Sequence, residues 1–251
     1  MGEIDFVELP GLRVAYRSWG LPGARPVVAL HAGSVDGATW APLAAALGDQ
    51  VRLYAPDLRG YGASDRPGRY GFAPMTGDLE ALLDALDLAR VALLGHSLGA
   101  VLAYRFAATH PDRVAALVLE EPVPPVPMGF RPPPRPAGPQ PFDWAAREAV
   151  LAELNDPDPA WWDRLAGISA PTLVVAGGPR SHLPQRELTR DGRGAAGRRA
   201  GHHRRGPRRA RDPARRVPRG GPNLPVESLT AAAERRGEDD APGPGARGAR
   251  R

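Results

Sequence analysis

Residues 91–110 read VALLGHSLGAVLAYRFAATH. Val91–Leu94 is a short apolar run of the kind that forms a strand buried on both faces, and Val101, Leu102 and Phe106 follow at helical spacing. Between them lies Gly95-His96-Ser97-Leu98-Gly99, too short for anything but a tight strand-to-helix turn. A serine on such a turn, with a glycine two residues to either side, is presented with its hydroxyl exposed, in a strained backbone conformation that the glycines make room for. The helix behind it adds a positive dipole end, and the Leu98 amide can meet a developing oxyanion. With 30 Gly and 7 Ser in 251 residues, chance produces this G-x-S-x-G pattern roughly 0.1 times per chain. The competing reading is a glycine-rich structural turn.

Working outward, Val27–Leu30, Val51–Ala55, Val114–Leu119 and Thr172–Ala176 are further apolar runs rich in β-branched residues, each closed by Gly, Pro or a polar residue. Helical stretches separate them, one striped by Leu79, Leu82, Leu83 and Leu86. Ahead of them, Phe6–Leu9 and Leu12–Trp19 are joined by Pro10-Gly11 and read as an antiparallel hairpin. The order predicts an α/β fold, a doubly wound, mostly parallel sheet with helices on both faces. The Pro-dense stretch PVPPVPMGFRPPPRPAGPQP opens an excursion over about residues 122–170. Phe130, Phe142, Trp144, Trp161 and Trp162 favour a small lid packed over the C-terminal edge of the sheet; a disordered linker is the alternative.

Composition divides the chain. All 33 basic residues are Arg, and the 5 Trp, 5 Tyr and 5 Phe all lie between Phe6 and Trp162. Residues 1–185 hold 15 Arg against 20 acids, net −5; residues 186–251 hold 18 Arg against 8, net +10. The first segment reads as the domain and the second as a low-complexity, poorly ordered tail, so the overall charge of +5 argues nothing about nucleic acid for the body. Without Cys there is no disulfide framework, Cys-based zinc site or thiol nucleophile. No stretch approaches a membrane span, and the N-terminus lacks the basic and apolar regions of a signal peptide, which makes a cytoplasmic protein the expectation.

HAGS (31–34), PDLRGYGASDRP (56–67) and LLGHSLGA (93–100), in that order and spacing, resemble the α/β-hydrolase superfamily over roughly residues 5–185. The resemblance implies a Ser, acid, His triad, a lid between the sixth and seventh strands, a small acyl substrate and no cofactor or metal. Ser97 would be the nucleophile, on the nucleophile elbow, with the amides of Leu98 and Gly33 forming the oxyanion hole. Ala32 stands where such chains usually carry glycine. Relatives that attack with Asp, the haloalkane dehalogenases and epoxide hydrolases, fit poorly with a serine at that position. The loop Asp57–Asp65 is read as structural.

The usual acid position after the seventh strand holds no carboxylate in Gly177–His182, so Glu121, closing the sixth strand, is the candidate for orienting the base; simple solvation of Glu120 and Glu121 is the alternative. The base is harder. His202, in Gly201-His202-His203, has no apolar strand before it, and His182 is the other candidate, while His96 and His110 have structural explanations. The tail is an Arg-rich arm for an anionic partner, a solvated extension, or a frame-shifted stretch, and the third reading is favoured. Read one base later, Ala195–Arg219 permits LPDAELVTIAAGHAVHATRPAEFL, an apolar strand followed by Gly-His; on that reading the base is encoded across Pro207 and Arg208, this chain lacks it, and its activity is impaired. A non-catalytic binding protein on the same fold, with the tail as its anionic-partner arm, is the rival to an esterase-like serine hydrolase. Sequencing the gene across codons 185–220 will show the shifted frame encoding that strand and His; a frame that does not encode them removes the third reading.

Overall fold

The computed structural model describes residues 3–177, Ser181, Leu183 and the backbone of 199–202. Eight strands form one sheet in the order β1-β2-β4-β3-β5-β6-β7-β8. Strands β1 (Ile4–Leu9) and β2 (Leu12–Trp19) make the antiparallel hairpin, and β2 runs antiparallel to β4 (Val51–Pro56). From β4 across β3 (Arg25–Leu30), β5 (Val91–His96), β6 (Val114–Glu120) and β7 (Thr172–Ala176) to β8 (Arg199–His202), every pair is parallel. The α/β class and the mostly parallel sheet are as the apolar runs predict. The last strand is not one of them: β8 lies beyond residue 185, within the stretch read as tail.

The apolar runs are continuous because both faces of the sheet are covered. Alternate side chains point to opposite faces. Val27, Ala29, Leu53, Ala92, Leu94 and Val118 pack with Trp40, Leu43 and Leu47, around helix α1 (Ala41–Leu47). Their neighbours Val28, Leu30, Leu93, Leu117 and Leu119 face the other way, against α2 (Phe72–Ala85) and α3 (Leu98–Thr109). Among the described residues no helix is long and apolar enough to cross a membrane.

After β6 the chain runs irregularly to α4 (Trp144–Asn155) and α5 (Trp161–Ala166). Phe142, Trp144, Val150, Leu154, Trp161 and Leu165 are buried with the α2/α3 face, so this excursion shares the main core. Polar ties hold it in register. Asp143 caps α4, accepting from Ala145 N–H at 3.0 Å and from the Tyr70 hydroxyl at 2.6 Å. Glu153, on α4, accepts from Phe72 N–H at 2.9 Å, satisfying the first amide of α2, and pairs with Arg105 of α3 at 3.2 Å. The Arg105 guanidinium also lies 4.4 Å from the Phe72 ring centroid and 4.5 Å from that of Trp161.

Glu153 therefore serves three helices at once. Glu153→Ala will leave a largely buried Arg105 without its carboxylate and is expected to cost about 2 kcal/mol of unfolding free energy, read by denaturant titration; Arg105→Ala on that background should cost less than it does alone.

Candidate active site

At the end of β5, Ser97 has φ 50° and ψ −111°, a left-handed conformation that ordinarily costs a residue with a side chain about 1–3 kcal/mol. Its neighbours hold it there. The Ser97 N–H donates to the Glu120 carbonyl at 2.9 Å, and its own carbonyl accepts from Val101 N–H at 3.0 Å. A Cβ on Gly99 would lie 2.5 Å from the Leu30 carbonyl carbon and 2.8 Å from the His31 oxygen; one on Gly95 would lie 2.6 Å from the Ala100 Cα. The two glycines thus let α3 start hard against the ends of β3 and β5. Leu98 is the first residue of α3, so its N–H has no acceptor within the helix.

The loop after β3 lies opposite. His31 is wholly buried; its Nε2 accepts from Leu58 N–H at 2.9 Å, which leaves Nδ1 to donate to the Ala32 carbonyl at 2.8 Å. Both ring nitrogens are committed, the ring is neutral, and burial pushes its pKa down. His31 pins Gly33 and Ser34 to the loop after β4. That loop is organised by Asp57, fully buried, which pairs with Arg17 at 2.9 Å and accepts from the Gly37 and Ala63 amides at 2.8 and 2.9 Å. Gly60 and Gly62 take positive φ, and a Cβ on Gly62 would collide with the Asp57 carboxylate. The Asp57–Asp65 segment thus acts as scaffold.

Gly33, Ser34, Tyr61, Ser97 and Leu98 line one cleft of about 320 Å³, roofed by Val123 and Phe130 and by Arg147, Val150 and Leu154 of α4. Ser97, Gly33 and Leu98 are thus brought together. Glu121 is not among the residues lining the cleft. It follows β6 with φ 49°, and its carboxylate accepts from the Gly177 amide and the Ser181 hydroxyl, toward the end of β7. Ala176 is in register with His202, so the backbone end of β8 lies beside the strand whose following amide binds Glu121.

Among the described residues no histidine side chain lines the cleft. His96 Nδ1 stands 4.0 Å from Glu120 Oε2. His182 and His203 lie outside the described residues, and β8 carries His202 to the same sheet edge as Ser97 and Glu121. Sequence reasoning found no strand for His202; the pairing of β8 with β7 supplies one. It also missed Arg147, whose guanidinium donates to Ser34 Oγ at 2.8 Å across 113 residues of chain, a contact no local pattern signals. No three His, Asp or Glu side chains converge as a metal site among the described residues.

A family profile described as the alpha/beta hydrolase fold matches residues 25–177, more than half the chain. The chain belongs to the α/β-hydrolase family. Among curated relatives of this chain, a Bacillus subtilis protein provisionally named a 2-succinyl-6-hydroxy-2,4-cyclohexadiene-1-carboxylate synthase is 38% identical over 49% of this chain and 46% of its own length. A provisionally named carbamate hydrolase of Klebsiella pneumoniae is 41% identical over 43% of this chain and 41% of its own, and Mycobacterium tuberculosis epoxide hydrolase A is 37% identical over 51% and 40%. The matched part thus spans less than half the length of each of these relatives. Of solved structures, a hydrolase from Pseudomonas aeruginosa superposes with a TM-score of 0.70 at 24% identity, covering 80% of this chain and 90% of that one. An enol-lactonase from Burkholderia xenovorans does so at 0.66 and 23%, covering 79% and 91%; at such identities the likeness is one of fold.

His31 carries a pH signature. Its folded-state pKa is below its ordinary 6.5, so its contribution is complete above that value and is lost as pH falls below it, with a slope of at most about 1.4 kcal/mol per pH unit. Chemical denaturation between pH 7.5 and 5 should show stability falling with acid, and His31→Gln should flatten that fall.

Proposed function

We propose that the chain is a serine-dependent hydrolase of small esters or related acyl compounds. The observation that carries this reading is the strained Ser97 opening into a cleft that it shares with Gly33 and Leu98. In the proposed reaction Ser97 Oγ attacks the substrate carbonyl carbon while a base removes its proton. The tetrahedral oxyanion is met by the Leu98 amide, backed by the α3 dipole, and by the Gly33 amide. Collapse expels the leaving group, which takes that proton, and water then hydrolyses the acyl-serine by the reverse sequence. No step calls for a cofactor.

His202 is our candidate for the base, because its backbone ends β8 at the edge where β5 presents Ser97. Glu121 is the candidate acid: its carboxylate is held at the β7 end by the Gly177 amide and the Ser181 hydroxyl, on the β8 side of β6. The provisionally named carbamate hydrolase is in keeping with acyl chemistry.

The second reading is a binding protein that uses the same cleft without turnover. It is favoured by one observation: no described histidine side chain lines the cleft. A fluorophosphonate probe distinguishes the two. The full chain should take up one adduct on Ser97, mapped by mass spectrometry, and Ser97→Ala none. His202→Ala should lower ester hydrolysis by about a thousandfold. An unlabelled Ser97 would favour the binding protein; full hydrolysis by the His202 variant would move the role of base to His182 or His203.

A further inference from the structure

Three largely buried arginines of the body are matched to carboxylates: Arg17 to Asp57, Arg59 to Asp78 and Arg105 to Glu153. Arg147 is different. It extends from α4 into the Ser97 cleft, and no carboxylate among the described residues pairs with it. One nitrogen donates to Ser34 Oγ at 2.8 Å, a neutral acceptor, and its Nε, like that of Arg105, is buried without an acceptor. The Trp144 ring, its centroid 5.4 Å from the guanidinium carbon, holds the plane in place. A guanidinium has five donors in a rigid fork suited to carboxylates. Arg147 is half-buried, and as part of the cleft lining its fork can meet an arriving carboxylate. Arg131 adds a second positive charge to the lining of the same cleft.

We propose that the acyl substrate carries its own carboxylate, bound by Arg147, so that the ester carbonyl is delivered to Ser97 from an anchored anionic end. The inference rests on the hydrolase reading for the delivery, though not for the binding. The rest of the lining is consistent with a short chain joining the two groups: Val123, Val150 and Leu154 are apolar, and a cleft of about 320 Å³ suits a few carbons. Neutral esters would enter the same cleft with the Arg147 charge still unmatched.

The test uses mono-4-nitrophenyl glutarate, which is anionic, and neutral 4-nitrophenyl butyrate on the full chain. The anionic ester should have the higher kcat/KM, by about tenfold or more. R147Q should collapse that ratio toward one, mainly through KM of the anionic ester. S34A removes the tether of Arg147 and leaves its charge, so it should keep the preference. If R147Q and S34A instead lower both esters alike, Arg147 is a lid latch and the proposal fails while hydrolysis stands. Binding is read separately by calorimetry with glutarate on the S97A protein, where R147Q should weaken it about tenfold or more. Glutarate bound through Arg147 by a protein that turns over neither ester would retain the anion site and reject the hydrolase. Absence of glutarate binding would overturn the proposal.

Discussion

The close approach of α3 to the ends of β3 and β5 is the constraint from which the site follows. Helix α3 can begin there only because Gly95 and Gly99 have no Cβ to meet the Ala100 backbone and the Leu30 carbonyl. That closeness puts Ser97 in a left-handed turn and leaves Leu98 as the first residue of α3, its amide without an acceptor inside the helix. The strain is balanced by ordinary secondary structure on either side, a ladder bond to Glu120 and a helical bond from Val101. Few other arrangements would give a serine hydroxyl both a rigid backbone and an open approach.

A second layer keeps the opposite wall in place without taking part in chemistry. His31 and Asp57 are both fully buried and bind backbone groups of the loops around them, Asp57 also pairing with the Arg17 side chain. Tyr61 stacks on Phe142 with centroids 5.5 Å apart, joining this wall to the chain that leads into α4. The excursion over the cleft is therefore continuous with the scaffold below it. Glu153 and Asp143 repeat the device at the other ends of the helices, each serving a helix terminus and a neighbouring side chain at once.

The parts of this architecture that show in the sequence are those with a local cause. Val27–Leu30 and Val91–Leu94 announce buried strands because both faces of each must be apolar, and Gly95-His96-Ser97-Leu98-Gly99 announces its turn because the steric demand falls on residues two apart from the serine. Arg147 does not announce itself: one arginine on an amphipathic helix looks like any other until the fold carries it to Ser34. Strand β8 is hidden for a different reason. Arg199-Ala200-Gly201-His202 has no apolar signature, and a strand at the edge of a sheet can be held by backbone bonds to one neighbour. The candidate acid is intermediate: Glu121 stands out as a carboxylate at a strand end, but its partners Gly177 and Ser181 come from β7 and beyond.

The strand order also separates folding from chemistry in a way that bears on how such a chain can change over generations. Strand β8 is outermost in the sheet order and pairs with β7, while the three buried apolar clusters draw on residues between Val7 and Leu183. The candidate base is thus carried by the outermost strand of the sheet, three strands away from the β5 that carries the elbow. A lineage can lose or rebuild its proton-transfer group there while the cleft and the elbow persist. Binding then outlives turnover, and a retired enzyme of this kind keeps a shaped, charged cavity available for another use.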